Sequence, residues 1–166
     1  SQHPISEPDN YRRFLAMHAA VLPALELWLE DHGIDRILPD WSVRRRRNAL
    51  AEDLAALGIA SAPPLPPRFA FSEPGDADLT GAAYVLEGSR LGGRLLKNSM
   101  ADQVDPLPTA FLGHGESDLW RGFVDAIGAL TFSPSERQRA LLAAHSVFTA
   151  YEEAFASAGP TARAAA

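Results

Sequence analysis

The stretch Tyr84-Val85-Leu86-Glu87-Gly88-Ser89-Arg90-Leu91-Gly92-Gly93-Arg94-Leu95-Leu96-Lys97 restricts this chain more than any other. Its apolar residues recur as in a helix, yet it carries three glycines within six residues. An interior glycine costs a helix about 1 kcal/mol relative to alanine. A helix that keeps Gly88, Gly92 and Gly93 needs a partner that approaches its backbone more closely than a Cβ allows. Gly88, Ser89 and Gly92 or Gly93 share one face over about a turn and a half. Either another helix packs there through small residues, or a flat ligand lies against the bared backbone.

At 166 residues with 46% hydrophobic content, the chain is long enough for one core and short for two, so a single domain over 1–166 is expected. The formal charge of −6 argues against a nucleic-acid partner, although Arg44-Arg45-Arg46-Arg47 is a local exception. Cysteine is absent, which excludes disulfides, thiolate nucleophiles and cysteine-held metals. Five histidines remain as candidate ligands. No window nears the ~18 consecutive apolar residues of a membrane span, and the start lacks the pattern of a signal peptide. A cytoplasmic protein is the expectation.

The rest of the chain reads as helices joined by proline- and glycine-marked links. Residues Tyr11 to Glu30 carry Phe14, Leu15, Leu22, Leu25 and Leu29 at three- and four-residue steps, with a kink expected at Pro23 and a stop at Gly33. Ser42 can cap a second helix from Val43 to Leu57, whose four arginines read as a solvated face. Pro63-Pro64-Leu65-Pro66-Pro67 is a stiff connector, and Asp76 or Asp78 opens the glycine helix, expected to reach about Met100. Residues 101 to 116 read as loop and Ser117 to Leu130 as helix. Ser133-Pro134-Ser135-Glu136 has the form of a capping box for a last helix carrying Val147, Phe148, Tyr151 and Phe155. The tail from Gly159 to Ala166 is expected to fray. The fold class is all-α, and no stretch beyond Phe69 to Phe71 suggests a strand.

The segment Tyr84 to Gly93 resembles the distal-helix signature of heme oxygenases, particularly the short bacterial enzymes that accompany bacteriophytochromes. Asp9 to Glu26, with Tyr11-Arg12-Arg13-Phe14-Leu15, resembles the family's second helical region, and Trp120 to Phe155 resembles its C-terminal helices. The resemblance thus spans nearly the whole chain. It implies an all-α domain with a glycine-kinked distal helix that clamps heme, which is both cofactor and substrate, and opens it to biliverdin, CO and iron. O2 and an external electron donor, a reductase or ferredoxin, are implied, with a bacteriophytochrome as a possible recipient of the bilin.

Carried over residue by residue, the resemblance makes Gly88, Ser89 and Gly92 the catalytic wall, with Gly93, Arg121, Phe148 and Phe155 as further heme contacts. Arg121 is matched to a propionate. Ser89 stands where many members have aspartate; a hydroxyl also donates and accepts hydrogen bonds, and serine suits the phytochrome-linked branch. The family's axial histidine belongs to a first helix that would precede Ser1. His3, His18, His32, His114 and His145 are read as structural or solvated, which leaves the metal ligand unknown. The rival expectation is a non-catalytic relative that binds heme, a bilin or a protein.

Overall fold

Helix α1 (Pro8–Asp31) begins with Pro8 in its first turn, where a missing N–H costs nothing, and Asp9 beside the positive helix end. Pro23 lies inside α1 without interrupting it. Gly33, at φ 81°, turns the chain out of the helix in a left-handed conformation that suits glycine. A short 3-10 turn (Ile34–Arg36) then leads to α2 (Trp41–Arg44) and α3 (Arg47–Ala56). The three long or mid-length helices that follow are α4 (Asp76–Ser99), α5 (Leu119–Gly128) and α6 (Pro134–Ser157). The computed structural model describes residues 5–60, 63–115 and 117–159, and it assigns no strand among them. His3 and the tail beyond Gly159 lie outside the described residues.

The core forms where α1, α3, α4 and α6 meet. Tyr11, Leu15, Leu22, Leu25 and Leu29 of α1 pack with Leu50 of α3, Leu79 and Leu86 of α4, and Val147 of α6. The proline connector crosses α1, tied by a hydrogen bond of 2.8 Å from the Leu65 N–H to the Ala20 carbonyl. Leu65 packs against Ala20, Val21, Ala150 and Ala154. The loop after α4 is held by the Asp53 carboxylate, which accepts from the N–H groups of Ala110 (3.0 Å) and Phe111 (2.9 Å). The Tyr11 hydroxyl adds a 2.7 Å bond to the Pro108 carbonyl.

Two caps match their sequence patterns. Ser133 Oγ accepts from the Glu136 N–H at 3.1 Å, and Glu136 returns a bond to the Ser133 N–H at 2.7 Å. At the start of α4, Asp78 accepts from the Gly75 N–H at 2.7 Å and from the Arg139 guanidinium of α6 at 2.6 and 3.0 Å.

The arginine run departs from expectation. The single helix read over Val43 to Leu57 is two helices, split where Arg45 adopts an extended conformation (φ −59°, ψ 133°). A continuous helix would spread four consecutive side chains around its axis. The break instead points Arg44 and Arg46 inward, where both are buried, so the run is not a solvated face.

Helix α4 passes unbroken through Gly88, Gly92 and Gly93. The glycine that α6 demands is an earlier one, Gly81. A methyl group there would lie 2.8 Å from the Ala140 carbonyl carbon. Both colliding groups are fixed by helical backbone, so neither can yield cheaply. Gly81→Ala should therefore lower the unfolding free energy by about 1–3 kcal/mol. Gly92→Ala, whose Cβ would meet no atom within 4 Å, should raise it by about 1 kcal/mol at most. Urea unfolding of the two variants beside the wild type measures both.

Candidate functional site

Beyond Gly81 the α4 helix separates from its neighbours on one side, and a pocket of about 460 Å³ opens there. Gly88 and Ser89 of α4 form one wall, Met17 and His18 of α1 another, and Phe148 and Tyr151 of α6 a third. Tyr84 and Phe148 also border an adjoining apolar hollow of about 590 Å³ between α4, α5 and α6. The two hollows form a mostly apolar trough of the size that holds a small organic ligand.

The glycines divide by neighbour. Gly88 lines the pocket, and a Cβ there would lie 3.7 Å from Trp120. Gly92, one turn on, faces open space. Gly93 is buried against Leu112, 3.5 Å from its Cδ2. A Cβ at Gly93 would make only ordinary van der Waals contact, so packing demands glycine at neither Gly93 nor Gly92, and neither lines either hollow. Of the other expected contacts, Phe148 lines the pocket, while Phe155 and Arg121 line neither hollow. Phe155 sits under the Arg13 guanidinium, 3.8 Å from its carbon, and Arg121 is exposed.

Behind the wall lies a cluster of buried charge. The Glu26 carboxylate of α1 accepts from the N–H groups of Arg46 (2.7 Å) and Arg47 (3.2 Å), so one helix supplies an anion to the N-terminus of another. Glu87 binds Arg44 at 2.7 Å and Arg90 at 2.9 Å. Arg90 also donates to the carbonyls of Arg44 and His114. Arg46 reaches furthest toward the pocket: its Nη2 donates to the Leu86 carbonyl and to Ser89 Oγ, each at 2.7 Å. The Ser89 hydroxyl in turn donates to the Leu86 carbonyl at 2.6 Å.

Sequence reasoning missed Arg44, Arg46 and His18. The usable signal was the pair Glu26 and Glu87, carboxylates set on the apolar faces of α1 and α4 that would be costly there without cations. His18 gave no such signal. It is buried among Phe14, Phe111 and Tyr151, with ring centroids 4.6, 4.8 and 5.1 Å away. Its Nδ1 and the Tyr151 hydroxyl find no hydrogen-bond partner among the described residues. Burial, with a smaller push from the Arg46 charge, lowers the His18 pKa to about 3, so the ring is neutral near pH 7. His32 has its own role, its Nδ1 lying 2.7 Å from the Trp28 carbonyl. No group of three or more potential metal-ligating side chains occurs among the described residues. No described helix is long and apolar enough to cross a membrane.

No protein-family model matches the chain. A heme oxygenase from Xanthomonas campestris pv. campestris is 30% identical over 155 residues, covering 91% of this chain and 92% of that protein. The heme oxygenase PigA of Pseudomonas aeruginosa is 27% identical over 159 residues, covering 91% and 78%. Among solved structures, the NO- and CO-bound heme oxygenase of Neisseria meningitidis matches with a TM-score of 0.73 at 23% identity, over 98% of this chain and 83% of that one.

The depressed His18 pKa has a thermodynamic consequence. Unfolding returns the ring toward its ordinary value of 6.5, so between that value and about 3 the unfolded chain binds the extra proton. Stability from this group is present above pH 6.5 and lost as pH falls below it. His18→Phe should make the pH dependence of the unfolding free energy shallower by up to ~1.4 kcal/mol per pH unit in that window, as measured by urea titrations between pH 4 and 7.

Proposed function

From its 30% identity to a heme oxygenase over nearly its whole length, the chain belongs to the heme oxygenase family, and we propose that it cleaves heme to biliverdin, CO and iron using O2 and external electrons. The observation that carries this reading is the pocket against α4, where Gly88 and Ser89 form the wall; Gly92, one turn on, lies outside the pocket lining with its backbone toward open space. A flat ligand can lie closer to such a surface than to any other helix face, because no Cβ intervenes.

The residues present fit heme on this side. Met17, Tyr84, Val85 and Phe148 offer apolar surface to a macrocycle, and Phe148 joins the two hollows so that a large ring need not fit either alone. Heme, when bound, supplies the iron that activates O2 and the meso carbon that is oxidised. The chain's own contribution is to bind, to exclude bulk water and to order the polar edge. Ser89, held by Arg46 and donating to Leu86, keeps a lone pair for an ordered water. A neutral His18 adds no charge to the wall.

An axial histidine from a first helix, an electron-donating reductase or ferredoxin, and a cytoplasmic setting belong to the same proposal. So does supply of the bilin to a bacteriophytochrome, for which Ser89 in place of aspartate is the sole support.

Hemin titration should give a one-to-one complex with a sharp Soret band, converted to biliverdin when a reductant and O2 are added. Gly92→Leu should abolish uptake while circular dichroism stays helical. Unchanged uptake by that variant would remove Gly92 from the heme wall, and no Soret change in the wild type would sink the enzymatic reading.

A further inference from the structure

The proline connector between α3 and α4 borders neither hollow of the trough and has no part in the proposed reaction. In Pro63-Pro64-Leu65-Pro66-Pro67 the four prolines have φ fixed by their rings. Pro63, Leu65 and Pro66 each precede a proline and are held extended as well. The run is therefore set in a polyproline helix of three residues per turn, with Pro63 and Pro66 on one edge and Pro64 and Pro67 on the next.

The fold settles which edge faces inward. Leu65 packs on Ala20, Val21, Ala150 and Ala154, and its N–H donates to the Ala20 carbonyl at 2.8 Å. With Leu65 turned to the core, both proline edges turn away from it: Pro63, Pro64 and Pro66 are exposed and Pro67 is half-buried. Proline has no N–H, so the Leu65 N–H is the only backbone donor of the run, and it is already bonded. The carbonyls of residues 63 to 67 accept no hydrogen bond from the described residues. A strip that offers acceptors alone cannot extend a sheet, which needs donors too. It suits a groove whose aromatic rings take the proline pairs while their N–H or O–H groups donate to the carbonyls. Arg68 ends the run exposed. It borders a small hollow together with Glu153 but forms no ion pair among the described residues. Its charge is open to a carboxylate at the end of such a groove.

We propose that residues 63–68 are a docking surface for a protein domain with an SH3-type groove, in which aromatic slots take Pro63-Pro64 and Pro66-Pro67 and an acidic side chain takes Arg68. The inference does not depend on the heme reading, because it uses no residue of the α4 wall.

The test adds the full chain to two isotope-labelled SH3 domains, one for each direction in which a polyproline helix can lie in the groove, and follows the groove resonances by NMR. The wild type should shift the aromatic-slot resonances saturably in at least one domain; no shift in either overturns the proposal. Replacing Pro64 and Pro67 together by alanine should weaken binding roughly tenfold or more, since slot contacts and preorganisation are both lost, and an unchanged affinity overturns the proposal. Arg68→Glu should weaken it about fivefold or more, whereas Arg121→Glu, the same charge change at an exposed residue outside the strap, should leave it within about twofold. Equal losses for these two variants would reduce the attraction to overall charge and overturn the docking surface. Leu65→Ala should leave the affinity within about threefold, because Leu65 faces the core. A larger change in either direction would mean that the probe engages a released or turned strap, which overturns the outward register. If circular dichroism shows that the double proline variant does not fold, the Arg68→Glu and Leu65→Ala comparisons decide.

Discussion

The buried pairing of arginine with glutamate is the constraint on which the other parts depend. Glu26 comes from α1, Arg44 and Arg46 from the two sides of the α2–α3 break, and Glu87 and Arg90 from α4. A buried ion pair adds little net stability compared with well-packed apolar residues, but stranding one partner costs about 3–5 kcal/mol. The cluster therefore acts less as glue than as a gauge. α1, α3 and α4 can meet in one relative placement, because any slip leaves a charge in the core without its counterpart. The pocket inherits that placement, since its Met17, His18, Gly88 and Ser89 walls ride on two of those helices.

Helix α4 divides its work along its length. Its first half is deeply buried, with Asp78, Leu79, Ala82 and Ala83 all shielded from solvent, and it meets α6 at Gly81 with no room for a methyl group. Its second half turns apolar side chains such as Leu91 and Leu95 outward. One end is thus locked by packing so that the other can present backbone. The cost of glycine in a helix, about 1 kcal/mol each, is spread over two different uses that look alike in sequence.

The helices were legible because their signals are local: period, capping box, proline and glycine. Ser133 and Glu136 form their reciprocal bonds, and α1, α4 and α6 lie where the apolar spacing puts them. The fold class follows from these, and the 0.73 TM-score to a heme oxygenase agrees with it. What was not legible depends on partners distant in sequence. Four adjacent arginines read as a wet surface because nothing local marks the break at Arg45. Glu26 and Glu87, lying 20 and 41 positions from Arg46 (46 − 26 and 87 − 46), decide their fate. For the same reason the glycines could be read as sharing a face but not sorted: only the surroundings separate Gly81 and Gly93, which touch protein, from Gly92, which does not.

The break at Arg45 ties function to chain length as much as to composition. Because successive arginines leave the backbone in opposed directions there, removing or adding one residue would exchange the inward and outward members while leaving the run itself basic. Arg46, bonded to Ser89, and Arg45, exposed and 3.6 Å from Glu30, would trade places. In diverging relatives, then, this corner should tolerate a change of side chain more readily than an insertion or deletion, and the spacing from Glu26 to the run should drift more slowly than the residues between them.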